Sequence, residues 1–391
     1  MPIINRIAEF HADMTAWRRD IHAHPELAYE EHRTSDLVAA KLQEFGVEVH
    51  RGLGGTGVVG TLRGRGQGSR TIGLRADMDA LPMPEANDFV HASTQPGKMH
   101  ACGHDGHTTM LLGAARYLAE TRNFDGIVHF IFQPAEEGKA GARAMIEQGL
   151  FRQFPMDRVF GMHNWPDLPP GTIAVHPGPV MAAADQFTVT VEGQGSHAAM
   201  PHKGIDPVLV AAHIVTAAQS LVSRGADPQD SAVVSVTWVQ AGTTFNVIPN
   251  EALLHGTIRT FRPETRTRIH EQLARLASNI AAGFGASATV EIRPGYPPTV
   301  NTEDDARLAA AVAARVVGEP NVTWNPEPSM GAEDFGYMLN ERPGCYVWLG
   351  QGGSSLGCKL HNPRYDFNDE VLPIGASYWA TLAETLLPRG V

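Results

Sequence analysis

Nine residues, Met99 to His107, crowd together the side chains that transition metals prefer. The stretch reads MHACGHDGH and holds one thiol, three imidazoles and one carboxylate. Cys102 and His104 are separated by a single glycine, which allows a tight turn to aim both side chains at one point. This density of soft and borderline donors indicates a cation site.

An apolar run with helical spacing follows this stretch directly. Its members are Met110, Leu111, Ala114, Ala115 and Leu118. We therefore predict that residues 99–107 form a loop and that a buried helix follows over residues 108–119. The alternative is a histidine-rich surface loop in which Thr108 or Thr109 caps the helix. The crowding of five polar donors favours the metal site over this alternative.

Further carboxylates and imidazoles come directly after apolar, strand-like segments. They are Asp77, Asp79, Glu136, Glu137, His163 and, near the C-terminus, His361. Ligand residues of open α/β sheets collect at strand ends, so these side chains are candidates for one common site. Taken alone, the aspartates are equally typical of a turn, and the glutamates also fit a solvated loop. Two adjacent carboxylates at the end of a buried strand are nevertheless unfavourable unless a cation neutralises them.

Five donors at these positions form the predicted ligand set: Cys102, His104, Glu137, His163 and His361. Their nitrogen, sulfur and oxygen atoms suit zinc, nickel, cobalt or manganese rather than calcium. With Glu136 and the aspartates nearby, there is capacity for two divalent ions, which is the arrangement that activates water for acyl transfer. The leaving amine must also be protonated, and Glu136 is the candidate proton shuttle.

The elements that position these groups alternate between helices and buried strands up to about residue 184, which indicates an α/β layer. The predicted helices of this layer cover residues 4–21, 31–45, 108–119, 303–317 and 373–387, and its predicted strands cover 47–50, 58–62, 71–74, 127–132, 159–162 and 345–349. Between them, a β-α-β-β-α-β order indicates a ferredoxin-like, split-βαβ domain. We thus predict an α/β catalytic domain over residues 1–184 and 297–391, with an inserted α+β lid domain over residues 185–296.

The composition argues against several other classes of protein. A net charge of -11 over 391 residues argues against a nucleic-acid partner, because phosphate binding needs clustered Lys and Arg. We find neither a signal peptide nor 18 consecutive apolar residues, so we expect no membrane association. Three cysteines, Cys102, Cys345 and Cys358, are too few for a disulfide framework. This cysteine usage fits a reducing compartment, and we expect the cytoplasm.

Gly55, Gly57 and Gly60 fit the G-x-G-x-x-G pattern of dinucleotide-binding folds. In those folds a helix begins within the motif, whereas here the chain continues into Thr61-Leu62-Arg63-Gly64, which favours a strand. We therefore predict a β-hairpin, and a dinucleotide-dependent oxidoreductase is the third choice of function.

Eight blocks of sequence together resemble the di-metal aminoacylase and carboxypeptidase clan, in the branch of hippurate hydrolases and indole-3-acetyl-amino-acid hydrolases. In chain order they are RADMDALPMPE, MHACGHDGH, QPAEEG, MHNWP, GSHAAMPH, FNVIPN, GAEDF and LHNPRYDFND. They cover essentially the whole chain. The resemblance implies a mixed-sheet di-metal hydrolase domain with an inserted lid domain through which subunits dimerise.

The resemblance also implies roles for individual residues. It matches the same five metal ligands and assigns Glu136 as general base and acid. Asp77 matches a residue that hydrogen-bonds a ligand histidine and orients it. Four further positions are implied to contact the substrate: His197 at the scissile carbonyl, often from the partner subunit, Asn246 and Arg259 at a carboxylate or carbonyl, and Gly331 at the substrate backbone.

The sequence therefore predicts a metal-dependent amidohydrolase that cleaves N-acyl amino acids such as N-benzoylglycine. The lid domain is expected to form a homodimer or homotetramer. One alternative is a metallo-carboxypeptidase or dipeptidase acting on short peptides. Another is a non-catalytic, metal-bound scaffold, which Glu136 speaks against because a scaffold has no need of an acid beside its ligands.

Overall fold

The chain crosses between two separately packed units, which a computed structural model describes over residues 3–353 and 358–389. The first unit comprises Met1–Val180, Val300–Glu327 and Asp334–Val391, and the second comprises Met181–Thr299 and Pro328–Glu333. The predicted division placed residues 328–333 with the catalytic domain. In the structure they join the second unit because the Ala182 N–H lies 3.1 Å from the Ser329 carbonyl oxygen and 2.9 Å from that of Gly331.

The described strands and helices alternate in the first unit as predicted. The strands are β1 (Glu48–Leu53), β2 (Gly57–Arg63), β3 (Thr71–Asp77), β4 (Ile127–Gln133), β5 (Arg158–Trp165), β6 (Ile173–Val175), β7 (Gly178–Met181), β8 (Ala183–Glu192), β9 (Ser196–His197), β10 (Ala232–Ala241), β11 (Val247–Ile248), β12 (Glu251–Thr260), β13 (Ser287–Pro294), β14 (Thr299–Asn301), β15 (Val322–Trp324) and β16 (Gly344–Gly350). The helices are α1 (Asn5–Ala8), α2 (His11–Ala23), α3 (His32–Glu44), α4 (His104–Thr121), α5 (Glu136–Lys139), α6 (Gly141–Glu147), α7 (Leu150–Gln153), α8 (Pro207–Ala218), α9 (Ser220–Ser223), α10 (Pro263–Gly283), α11 (Glu303–Val317), α12 (Gly336–Glu341) and α13 (Leu372–Leu386). Short 3-10 helices cover Pro201–Lys203, Glu319–Asn321 and Asp369–Val371. None of the helices described in the structure combines the length and the apolar character that crossing a membrane requires.

The first unit is built on an eight-stranded mixed sheet with the order β1-β2-β4-β3-β5-β16-β6-β15. The central strands β4, β3, β5 and β16 run parallel to one another. Strands β3 and β16 are buried along their whole length, as expected for apolar strands that are covered on both faces. Because parallel strands end at the same edge, the residues that follow β3, β4 and β5 are brought together there.

Two predictions about the edge of this sheet have different outcomes. Strands β1 and β2 form an antiparallel pair in which His50 is paired with Val59, so the predicted hairpin is confirmed and no helix follows Gly60. The short strands β6 and β15 were not predicted. They are only three residues long, which is too short for an alternating pattern to stand out.

The helix that carries the metal-ligand stretch begins earlier than predicted. Helix α4 starts at His104, because Gly103 precedes it with φ of 95°. A Cβ atom at Gly103 would lie 2.3 Å from Asn164 Oδ1, so only glycine fits this close approach. The predicted loop over 99–107 is therefore wrong in its second half. Neither Thr108 nor Thr109 caps the helix, since both lie buried inside it.

The N-terminal helix is also divided, although its apolar spacing is continuous. The prediction of one helix over residues 4–21 is wrong, because α1 ends at Ala8 and α2 begins at His11. At the junction the Phe10 N–H donates to the Ile7 carbonyl, which is a tighter turn than an α-helix makes. This turn leaves Phe10 1% exposed, with the Arg116 guanidinium 3.9 Å from its ring centre.

The second unit has a four-stranded antiparallel sheet with the order β10-β12-β8-β13. Burial alternates along β8 and β12, and their buried side chains pack with α8 and α10 in one core. Asp206 begins α8 by accepting a hydrogen bond from the Val208 N–H at 2.9 Å. The element order is β-α-β-β-α-β, so the predicted ferredoxin-like plan is confirmed.

Candidate metal centre

The five predicted metal ligands converge at the carboxyl edge of the central sheet. Cys102, His104 and His163 each place a donor atom within 4.8 Å of the other two, and so do Cys102, Glu137 and His361. Cys102 belongs to both groups. A thiolate at this position is therefore able to contact two ions at once, which a pair of independent sites would not allow.

Two of the imidazoles are held with one ring nitrogen turned toward the centre. His163 Nδ1 donates to the Asn164 carbonyl at 2.6 Å, which leaves Nε2 3.4 Å from Cys102 Sγ. His104 Nδ1 donates to the Asp79 carbonyl at 2.9 Å. The Nε2 atom of His104 is buried and has no hydrogen-bond partner within residues 3–353 and 358–389. Fixing one nitrogen in this way is how proteins present the other to a metal.

The two adjacent glutamates are fixed by their backbone. The residues on either side of α5, Ala135 and Ala140, have φ of 56° and 58°, in the left-handed region. Between them, the N–H groups of Glu136 and Glu137 donate to the two carboxylate oxygens of Asp79, at 3.0 and 2.9 Å. One buried carboxylate thus holds both residues in a conformation that is not helical at Glu137.

The side chains of these two glutamates make different contacts. Glu137 Oε1 lies 3.3 Å from His361 Nε2, whereas Glu136 Oε1 accepts a hydrogen bond from the Asp334 N–H at 3.3 Å. Glu136, Glu137 and His104 also place atoms within 4.8 Å of one another. Glu136 therefore reaches the same space as the ligand groups. The His361 side chain is 54% exposed and marks the open side of the centre.

The electrostatics of the centre fit the binding of cations. Burial opposes protonation of His104, but the Asp77 and Asp79 carboxylates outweigh it and raise its pKa to about 10. Burial and the neighbouring Glu137 and Glu136 carboxylates raise the pKa of the Cys102 thiol well above its usual value. Both shifts report an excess of negative charge that divalent ions would neutralise. The unpartnered Nε2 of His104 and the mixed sulfur, nitrogen and oxygen donors fit two such ions.

Asp77 occupies a different place from the one implied by the resemblance. Its Oδ1 accepts a hydrogen bond from His107 Nδ1 at 2.6 Å, and its Oδ2 lies 3.7 Å from His104 Nε2. The residue that holds His104 through Nδ1 is Asp79. Both aspartates follow β3, and sequence reasoning carried only Asp77 forward. His107, which sequence reasoning left as a structural candidate, packs its ring against that of His163 with centroids 4.6 Å apart.

Sequence reasoning missed the ionic support beneath the centre. The fully buried Arg75 guanidinium lies 2.7 Å from Asp77 and 3.0 Å from Asp334. A second hydrogen bond, from its Nε to Gln133 Oε1 at 2.8 Å, completes the fit. An arginine within the apolar strand TIGLRAD was the available signal, because a charge is buried in a strand only when it is paired.

Two of the predicted substrate contacts lie together in the second unit. Strands β9 and β11 pair there, with His197 opposite Val247. The Ala198 N–H donates to the Asn246 carbonyl at 3.0 Å, so His197 and Asn246 are carried by one short ladder. Both residues are exposed.

The other two predicted contacts belong to the second unit but lie on different segments. Arg259, on β12, donates to the Thr257 hydroxyl and to the Ile258 carbonyl, and burial lowers its pKa. Gly331 is exposed, and its N–H donates to Ser329 Oγ at 3.0 Å.

A second buried charge cluster ties helix α2 to the helix that begins at His104. His22 Nδ1 lies 2.8 Å from Asp105 Oδ2, and its Nε2 lies 3.2 Å from Glu85 Oε1. Burial opposes protonation of the His22 ring, but these two carboxylates outweigh it and raise the pKa of His22 to about 9. His22 is therefore a cation at neutral pH, and it neutralises a carboxylate in the first turn of α4.

This ion pair should make the stability of the protein depend on alkaline pH. A raised folded-state pKa stabilises the protein fully below the unfolded value near 6.5, and the gain is lost as the pH rises through about 9. The full gain is about 3 kcal/mol on the conversion of pKa to free energy. We expect the difference in unfolding free energy between the wild type and His22→Gln, measured in urea with chelator, to narrow between pH 6.5 and 10.

The control for this experiment is His24→Gln, which changes a half-buried histidine two residues along the chain. Its difference from the wild type should stay nearly constant over the same range. A His22→Gln difference that does not change with pH would show that the His22 ring is neutral in the folded protein.

Comparisons with known proteins agree in one family. Residues 73–385 match the model of peptidase family M20/M25/M40. Hippurate hydrolase from Campylobacter jejuni is 42% identical over 98% of this chain and 99% of its own length. N-acetylcysteine deacetylase from Bacillus subtilis is 42% identical over 97% of this chain and 98% of its own. A crystal structure of a dinuclear metal-binding peptidase of the M20 family from Bacillus subtilis superimposes with a TM-score of 0.86, at 38% identity, and the match covers 97% of this chain and 99% of that one.

Proposed function

The chain belongs to peptidase family M20/M25/M40 and is a metal-dependent amidohydrolase of N-acyl amino acids, and we propose how its side chains divide the work. Five of them hold two divalent ions: Cys102, His104, Glu137, His163 and His361. Glu136 transfers the protons. The observation that carries this division is that two ligand groups share Cys102 while Glu136 reaches the same space without being needed in either group.

The reaction follows from where Glu136 is held. When bound, the two ions polarise the amide carbonyl and lower the pKa of the attacking water. The Glu136 carboxylate takes a proton from that water and later delivers it to the departing amine nitrogen. The Asp334 N–H, 3.3 Å from Glu136 Oε1, holds one carboxylate oxygen and leaves the other for proton transfer. Glu136 is 6% exposed, so few water molecules compete for its proton.

The second unit supplies the substrate contacts in this proposal. The Ala199 N–H donates to His197 Nδ1 at 3.1 Å, so a neutral His197 ring carries its proton on Nε2. An Nε2–H donor is suited to an oxygen on which negative charge develops. Asn246 and Arg259 are assigned to the substrate carboxylate or carbonyl, and Gly331 is assigned to the substrate backbone. Arg259 supports this assignment because its contacts with Thr257 and Ile258 leave its charge unneutralised by either.

The proposal extends to the metals, the compartment and the assembly. The thiol and imidazole donors favour manganese, zinc, cobalt or nickel as the bound ion. We propose the cytoplasm as the compartment, because Cys102 has to stay reduced to bind metal. We also propose a homodimer or homotetramer formed through the second unit. Its edge strand β10 exposes Trp238 and Val239 by 44% and 57%, which is costly for a strand edge left in water.

The activity is tested with a panel of substrates and metals. We expect the purified protein to release free amino acid from N-benzoylglycine or another N-acyl amino acid after loading with manganese, zinc, cobalt or nickel in turn. Removing the metal with a chelator should abolish turnover, and adding the metal back should restore it. Faster cleavage of dipeptides than of N-acyl amino acids would favour a carboxypeptidase or dipeptidase. Full metal occupancy without hydrolysis of any substrate would favour a scaffold.

A further inference from the structure

The turn that carries Glu136 is held by two buried carboxylates, and only one of them also contacts the ligand histidine His104. Three consecutive N–H groups of this turn, those of Ala135, Glu136 and Glu137, point at carboxylate oxygens. The second and third donate to Asp79. The first donates to Glu31 Oε1 at 2.8 Å, from a residue 104 positions earlier in the chain.

Ala135 is the position at which the turn most needs an external support. Its φ of 56° and ψ of 42° are left-handed, which is unfavourable for a residue with a Cβ atom. Ala135 is also completely buried, so water cannot replace a missing acceptor for its N–H. The direction of the Glu136 side chain is set by the backbone that leaves Ala135. The acceptor for the Ala135 N–H is therefore the point from which Glu136 is aimed.

Glu31 is built to provide this acceptor. It lies directly before α3 and is fully buried, and its second oxygen accepts a hydrogen bond from Thr56 Oγ1 at 2.5 Å. Thr56 is itself buried, in the connection between β1 and β2. Burial raises the pKa of the Glu31 carboxyl to about 6, so the group is ionised at pH 8 and accepts both hydrogen bonds. Thr56 thus fixes the rotation of the carboxylate, and the carboxylate fixes Ala135.

We propose that Glu31 is a positioning residue for the hydrolytic reaction, holding Ala135 in its left-handed conformation so that Glu136 faces the water and the amide nitrogen. The inference rests on the proposed role of Glu136. Glu31 contacts neither the substrate nor any of the five ligand side chains, and its effect is expected on the chemical step alone.

The test compares two substitutions of Glu31 in the metal-loaded enzyme at pH 8. Glu31→Ala removes the acceptor, and we expect kcat to fall about 10- to 100-fold, as small misplacements of catalytic groups do. The KM and the metal content per chain should stay close to the wild type, since no ligand is moved. Glu31→Gln keeps a carbonyl oxygen for the Ala135 N–H, so it should retain kcat to within about fivefold.

The control variant is Glu26→Ala. The Glu26 carboxylate also accepts two backbone N–H groups, those of Arg33 and Thr34 at 2.9 and 2.8 Å, but it does so at the start of α3. Its loss should lower the melting temperature without a fall in kcat. If Glu31→Ala does not fold, Thr56→Val removes the contact that orients the carboxylate. That variant should lower kcat about two- to fivefold at unchanged KM.

The outcomes separate this inference from the function on which it rests. Wild-type kcat in Glu31→Ala or, where that variant does not fold, in Thr56→Val would overturn the positioning role, provided that Glu136→Gln is inactive. A fall in metal content that matches the fall in kcat would also overturn it, because Glu31 would then act on the metal centre. Wild-type kcat in Glu136→Gln would instead remove the proposed proton shuttle itself.

Discussion

Glu136→Gln should reduce kcat by about 1,000-fold while leaving the metal content of the protein unchanged, since general acid–base catalysis contributes on this scale. The amide has nearly the same shape as the carboxylate, and it keeps an oxygen for the Asp334 N–H, so the turn should not move. It cannot take a proton from water or carry one to the leaving amine. Steady-state kinetics with an N-acyl amino acid and elemental analysis of the same preparation measure both quantities.

The outcome also decides between two roles that the distances alone allow. Glu136 lies with His104 and Glu137 in a group of atoms within 4.8 Å, so it has the reach of a ligand. If it binds metal, the glutamine variant should lose an ion together with activity. If it transfers protons, only activity is lost. Glu147→Gln, the same substitution at an exposed site on α6, provides the control and should match the wild type in both measurements.

Cys102→Ser should weaken the binding of both ions, because Cys102 is the residue that the two ligand groups share. Serine keeps the size of the side chain, but its hydroxyl does not ionise near neutral pH, whereas a bound metal deprotonates a thiol outright. We expect the affinity for at least one ion to fall by more than about 100-fold, beyond what loss of an outer hydrogen-bond partner produces. Metal content after dialysis and kcat at saturating metal are the measurements.

The fold should survive this substitution. Cys102 is buried, yet its sulfur faces the ligand groups rather than the apolar core, so the melting temperature in chelator should match that of the wild type. Cys358→Ser is the matched control, since Cys358 is partly buried and contacts the Asp366 carbonyl. That variant should keep both ions. Unchanged metal content in Cys102→Ser would reject the thiol as a ligand, and the centre would then depend on imidazole and carboxylate donors.

The long periodic elements followed from the sequence because their signals are local. Helix α11 covers Glu303–Val317, as predicted, since an apolar face repeating every three to four residues needs no distant contact to be recognised. The same holds for the alternating strands of the second unit. The N-terminal helix was predicted without its break, because the periodicity continues through Phe10 while the tight turn depends on how that ring packs.

The sequence by itself determined which side chains stand at the ends of strands and that one thiol and several imidazoles are among them. Their chemistry, and the eight blocks in order, were enough to predict a di-metal amidohydrolase. These properties are local, since they depend on residue type, spacing and backbone periodicity, all of which a linear sequence contains.

Only the tertiary structure decided how these side chains meet. The parallel neighbours β4, β3 and β5 bring three strand ends together, so Cys102 belongs to two ligand groups at once. The structure also shows that Asp79 rather than Asp77 holds His104, and that Glu31 supports Ala135 from 104 residues away. The physical reason is that hydrogen bonds and metal ligation depend on distances of about 3 Å. Residue order does not contain such distances until the sheet has set which segments are neighbours.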